Sequence, residues 1–216
     1  MKPLIIFGNL ASASTSKYYI QEEGIYEVIA FTVDAEKITA PKYEGLPVVA
    51  FETIHMEYPP NEVSFLFPAG YSLNNPINTN IFRRTRFELI KSLGYGCINY
   101  VSRQAMVASN IELGENVLIY EGAIIQPFVK IGDNTIIRSG ANIGHHVTIG
   151  SHSFISAEVT IGGKASIGEG VFIGLNSTIS NSIQVADGSF VGANSFINKD
   201  TQISSKNIGI PAKLYE

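Results

Sequence analysis

From Ala105 to Lys206 the sequence divides into consecutive hexads without an insertion, opening AMVASN, IELGEN, VLIYEG and closing SFVGAN, SFINKD, TQISSK. Position three of every hexad is Ile, Val or Leu, and position one is Ala, Val, Ser, Thr or Ile. Alternate residues of a short strand therefore face a narrow interior. Position four is often Gly, which lets the chain turn after each strand. A period of six predicts a β-helix, in which one hexad forms one side of a prism and three hexads complete one coil.

Position two of each hexad points outward, and every third hexad stacks on the same side. One side reads Glu112, Lys130, Thr148, Ser166, Gln184, Gln202 and is expected to meet water. A second reads Leu118, Ile136, Phe154, Phe172, Phe190, Ile208, an apolar ladder with members about 4.8 Å apart. A continuous stripe of this kind on an outward face predicts an interface. The third, Met106, Ile124, Asn142, Thr160, Thr178, Phe196, is mixed and decides nothing.

Residues 1–102 are expected to form one domain and 103–216, with the repeat and its closing segment, another. In the first, 2–7 (KPLIIF), 26–32 (YEVIAFT) and 63–68 (VSFLFP) read as strands. Ile81, Phe82, Phe87, Ile90 and Leu93 recur at helical spacing among Arg83, Arg84, Arg86 and Lys91. Strands and helices in alternation predict a small α/β unit with a parallel sheet, binding ligands at the strand C-terminal ends. The net charge of −4 offers no basic footprint for nucleic acid. No apolar run is long enough for a membrane span, and the single cysteine, Cys97, fits a reducing compartment. A cytoplasmic protein is expected.

The repeat resembles the hexapeptide-repeat acyltransferases, whose prism winds left-handed. The N-terminal layout resembles the nucleotide-sugar domain of the bacterial sugar acyltransferases, a family that includes sialic acid O-acetyltransferases and bacillosamine-type N-acetyltransferases. The resemblance implies a Rossmann-like α/β domain followed by a left-handed parallel β-helix, acetyl-CoA as acyl donor, and a homotrimer. For the sugar nucleotide it implies Gly8 in the turn GNLASAS (8–14), which has one glycine where relatives are glycine-rich. It also implies Asp34, and Gly70 and Asn74 in the loop PAGYSLNN (68–75). For the donor it implies Gly163, Gly174, Leu175, Gly192 and Ala193, the last standing where a relative has glycine. Lys213 in the closing GIPAK segment is expected to meet a coenzyme A phosphate.

Three of the four histidines fall in GHHVTIGSH (144–152). Acyl transfer from a thioester needs a base for the nucleophile's proton, a role that suits imidazole, and a donor for the oxyanion. His145 occupies position five of its hexad, outside the inward positions, and aligns with the catalytic histidine of the family. Gly163 follows 18 residues later, one full coil, so its backbone N–H is expected to lie one strand spacing from His145. His145, Gly163 and His146 form the candidate catalytic set. What orients the His145 ring stays open among His146, His152 and a group from another subunit. The zinc sites of related β-helices need histidines from separated coils, and no metal is expected here. The expected activity is N-acetylation of a nucleotide-linked amino sugar for surface polysaccharide. O-acetylation of a sugar hydroxyl would use the same groups and stays open, as does a non-catalytic sugar-binding solenoid.

Overall fold

The computed structural model describes residues 2–70 and 76–215, apart from the side chains of 76–78 and 212–215. It divides into two compact units, 1–70 with 82–99, and 71–81 with 100–216. The architecture is a small α/β unit followed by a left-handed parallel β-helix.

In the first unit six strands form one sheet: β1 (Lys2–Phe7), β2 (Tyr26–Val33), β3 (Lys42–Tyr43), β4 (Leu46–Ala50), β5 (Ser64–Leu66) and β6 (Gly96–Cys97), in the order β3-β4-β2-β1-β5-β6. All pairings are parallel except β3 with β4. The central strands read as unbroken apolar runs because both faces of a parallel sheet are covered, and Leu4, Ile5, Ile6, Phe31, Phe65 and Leu66 have no exposed surface. Helix α1 (Ala11–Glu23) directly follows the Gly8 turn, α2 (Ile54–Glu57) is a single turn, and α3 (Pro76–Ser92) begins ahead of the expected helix, with Pro at its first position. The Tyr95 hydroxyl donates to the Tyr58 carbonyl at 2.7 Å, and burial pushes its pKa up to about 12.

In the second unit each hexad as far as SFINKD contributes a two-residue strand from positions two and three. The ladder starts at Tyr100–Val101, ahead of the first complete hexad. Strands pair with the one 18 residues on, giving three parallel sheets. Positions one and three fill the interior with a column of Val, Ile and Ala. Where position one is Thr or Ser the hydroxyl is satisfied inside: Thr135 donates to the Gly150 carbonyl at 3.1 Å, Ser153 to Gly168 at 3.0 Å and Ser177 to Gly192 at 2.8 Å. Position six turns through the left-handed region at Asn116, Asn134, Asn176 and Asn194, the conformation that Asn tolerates best among residues with a side chain.

Two expectations are corrected. The hexad register does not reach Lys206: no strand forms at Gln202–Ile203, and Ile203 is exposed. Phe190 pairs with Lys206, 16 residues on instead of 18, so Ile208 does not extend the apolar ladder. The slip follows from Asp200 and Thr201, whose side-chain oxygens accept the Gln184 and Ala186 backbone N–H groups at 2.8 and 2.9 Å and cap the sheet end. The apolar ladder is also not bare. Leu118, Ile136 and Phe172 are buried within the single chain; Phe154 and Phe190 are half-buried and stack on Phe172 with centroids 5.8 and 5.0 Å apart. Asn80 of α3 donates to the Gly170 carbonyl at 2.6 Å, at the corner leading into Phe172. Glu112, Lys130, Thr148, Ser166 and Gln184 on the polar side are all exposed.

Candidate active site

His145 and His146 lie at the corner between the strands Asn142–Ile143 and Thr148–Ile149, and both side chains are exposed. The His145 backbone is pinned on two sides. Its N–H donates to Gln126 Oε1 at 3.0 Å, and its carbonyl accepts the Lys164 N–H at 2.9 Å. The imidazole lies over Gly163 of the next coil, where a Cβ would stand 2.8 Å from Nε2 and 2.9 Å from Cε1. Only a residue without a side chain leaves the ring in that place.

Gly163 gives its carbonyl to the Ser182 N–H at 3.0 Å, while its own N–H has no acceptor among the described residues. At the same hexad position in other coils a side-chain oxygen takes that N–H: Asp133 for Glu115, Gln126 for His145, Asp187 for Glu169. An imidazole nitrogen and an unengaged amide donor thus sit side by side on an open surface. They match the two requirements of thioester aminolysis, proton removal and oxyanion stabilisation.

The three histidines close in sequence do not stay together. His145 Nδ1 is 3.1 Å from His146 Nδ1, with the rings nearly perpendicular. His152 belongs to the following corner, where it is buried with Nδ1 3.0 Å from Asn134 Nδ2. It therefore does not orient His145. Phe128, one coil before His146, stacks on the His146 ring at 4.6 Å. The sequence reading passed over it, although an apolar ring at position six, where every other hexad carries Gly or a polar residue, is a visible break in the pattern.

Gly174, Leu175, Gly192 and Ala193 lie at a different corner, ahead of the strand pair Thr178–Ile179 and Phe196–Ile197. Within one chain they are separated from His145 and Gly163 by the width of that side. Leu175 and Ala193 are exposed there, whereas Gly174 and Gly192 are buried. A Cβ on Gly174 would come within 2.5 Å of the Ala193 backbone nitrogen, so this glycine is demanded by coil stacking. Among the described residues no group of three His, Cys, Asp or Glu is placed to hold a metal ion. Among the described residues no helix is long and apolar enough to cross a membrane.

In the α/β unit Gly8 closes β1 with its N–H on the Thr32 carbonyl at 2.8 Å. Asp34, at the end of β2, is 2.7 Å from Arg86 through Oδ1. The Arg86 guanidinium lies over the rings of Phe51, Phe7 and Phe82 at 4.8, 5.6 and 5.6 Å. The Asp34 carboxylate is thus already engaged by a cation at the C-terminal ends of the strands. Gly70 is exposed with open space around it. Asn74 and the Lys213 side chain lie outside the described residues.

The model of the bacterial transferase hexapeptide (six repeats) matches residues 110–145 and 128–163, and that of the hexapeptide repeat of succinyl-transferase matches 164–199. No curated protein sequence matches. The acetyltransferase domain of PglB from Neisseria gonorrhoeae is 22% identical with a TM-score of 0.87, all of each chain being covered. Its complex with acetyl coenzyme A is 21% identical with a TM-score of 0.89 over 99% of each. PerB from Caulobacter crescentus, in complex with CoA and GDP-perosamine, is 24% identical with a TM-score of 0.85, over 99% of this chain and 97% of that one. Over residues 110–199 the chain thus carries the hexapeptide repeat of these transferase models, and its fold is similar to that of the PglB acetyltransferase domain and of PerB.

Proposed function

We propose that the protein transfers the acetyl group of acetyl-CoA to the amino group of a nucleotide-linked sugar, with His145 as general base and the Gly163 N–H as oxyanion donor. The observation that carries this reading is the His145 imidazole lying over Gly163, whose amide hydrogen is unengaged among the described residues. The acceptor nitrogen attacks the thioester carbonyl as Nε2 of His145 takes its proton. The oxyanion of the tetrahedral intermediate bonds to the Gly163 N–H. The C–S bond then breaks, and the departing CoA thiolate recovers the proton from the His145 imidazolium. The likeness to PerB, solved with CoA and GDP-perosamine, and to PglB, solved with acetyl coenzyme A, supports this choice of substrates.

The sugar nucleotide is assigned to the C-terminal ends of the α/β strands, near Gly8, Asp34 and Gly70. The pantetheine arm is assigned to the exposed corner at Leu175 and Ala193. The arm's corner and the base's corner are apart in one chain, so the working form is a homotrimer in which neighbouring copies supply one each. Acetyl-CoA turnover against UDP-, GDP- and dTDP-linked amino sugars tests the activity. His145→Ala is expected to fold and to lose ~10²–10⁴-fold in turnover. Wild-type turnover in that variant, or inertness towards every amino sugar of the panel, sinks the reading.

A further inference from the structure

One hydrogen lies between His145 Nδ1 and His146 Nδ1, and its owner decides whether His145 is a base at all. Owned by His146, it leaves His145 carrying its proton on Nε2, the atom over Gly163, with no lone pair to offer there. Owned by His145, it leaves Nε2 bare. The loaded state is stricter. An imidazolium bears hydrogen on both nitrogens, so while His145 holds the substrate's proton its Nδ1 must donate and His146 Nδ1 must accept. Among the described residues no carboxylate bonds to either ring.

Resting on the reading of His145 as base, we propose that His146 is its positioning residue. It accepts the His145 Nδ1–H, keeps Nε2 free over Gly163, and takes the place that a carboxylate holds in the triad of serine hydrolases. Phe128 fixes the plane in which it does so. Phe128 and His146 stack at 4.6 Å with 29° between planes, while His145 and His146 stand at 87°. With its ring held against Phe128, His146 keeps the plane in which its Nδ1 meets that of His145.

The test compares kcat and both Michaelis constants for His146→Ala, His146→Asn, Phe128→Ala and the double variant Phe128→Ala/His146→Ala, each checked for folding by thermal melt. His146→Ala is expected to lose at least ~10-fold in kcat, within the range that base catalysis supplies, with the Michaelis constants for acetyl-CoA and sugar unchanged. His146→Asn, whose Oδ1 stands where Nδ1 stood and whose backbone favours the corner, is expected to recover most of the loss. Phe128→Ala is expected to lower kcat alone and to add nothing in the double variant, because it acts through His146. An unaffected kcat in His146→Ala, a His146→Asn as impaired as His146→Ala, or additive losses would each overturn the positioning role. Full kcat in His145→Ala would instead sink the base assignment, so the two failures are distinguishable.

Discussion

At the scale of single residues, the pair to which we assign the chemistry was legible because the solenoid converts sequence distance into spatial distance. Eighteen residues make one coil, so His145 and Gly163 had to stack, and the close approach of the ring to Gly163 explains why the second residue is glycine. Gly163→Ala follows as a test. The φ of Gly163 is not in the left-handed region, so the backbone accepts Ala, but the new Cβ would collide with Nε2 and turn the imidazole away. The melting temperature is expected to stay near wild type while kcat falls by at least ~10-fold; an unchanged kcat would separate Gly163 from the reaction. The roles of His146, Phe128 and His152 were not legible in the same way. They depend on which way rings point at a corner, and His146 and His152, six residues apart in one short motif, are sent to successive edges of the prism.

At the scale of elements, the repeat announced almost every strand of the second unit, because an interior of fixed width accepts only small or aliphatic residues at positions one and three. The slip after Phe196 was hidden, since TQISSK satisfies the hexad pattern in letters. Its ending is decided by Asp200 and Thr201 capping backbone donors that no later coil takes up. In the first unit the apolar strands stood out, but α1 did not: only Ala13, Ser16 and Ile20 of its thirteen residues are buried, a stripe too thin and too polar to show a helical period. The outward ladder carried the opposite lesson, for a pattern of exposed-face apolar residues does not say whether the chain itself covers them. Phe172 is buried and stacked between Phe154 and Phe190. Phe172→Glu is therefore expected to destabilise the folded chain by at least about 3 kcal/mol, through lost packing and a buried charge. The loss should appear in urea unfolding and be independent of protein concentration. A normal unfolding midpoint with a shift confined to self-association would return the ladder to the role of an interface.

At the scale of the whole molecule, the separation of the two corners turns a question about assembly into one about activity. A chain that folds one corner around His145 and Gly163 and another around Leu175 and Ala193 carries the proposed base and the proposed donor corner on different edges of the same prism. Packing identical prisms around a closed axis brings the unlike edges of neighbours together. In the proposed trimer, then, a His145→Ala chain still lends an intact donor corner to its neighbour, and an Ala193→Trp chain, whose new ring blocks its own donor corner, still lends an intact base. Homotrimers of either variant are expected to be nearly inactive at low acetyl-CoA. Heterotrimers purified after co-expression with two different tags should regain activity, because in either mixed composition about a third of the sites, one interface of the three, pair an intact base with an intact donor corner. Recovery near that level would place each site between two chains. Heterotrimers as inactive as their parents, or sedimentation of the wild type as a stable monomer, would put both halves of the site on one chain and force the pantetheine arm onto a different path from His145.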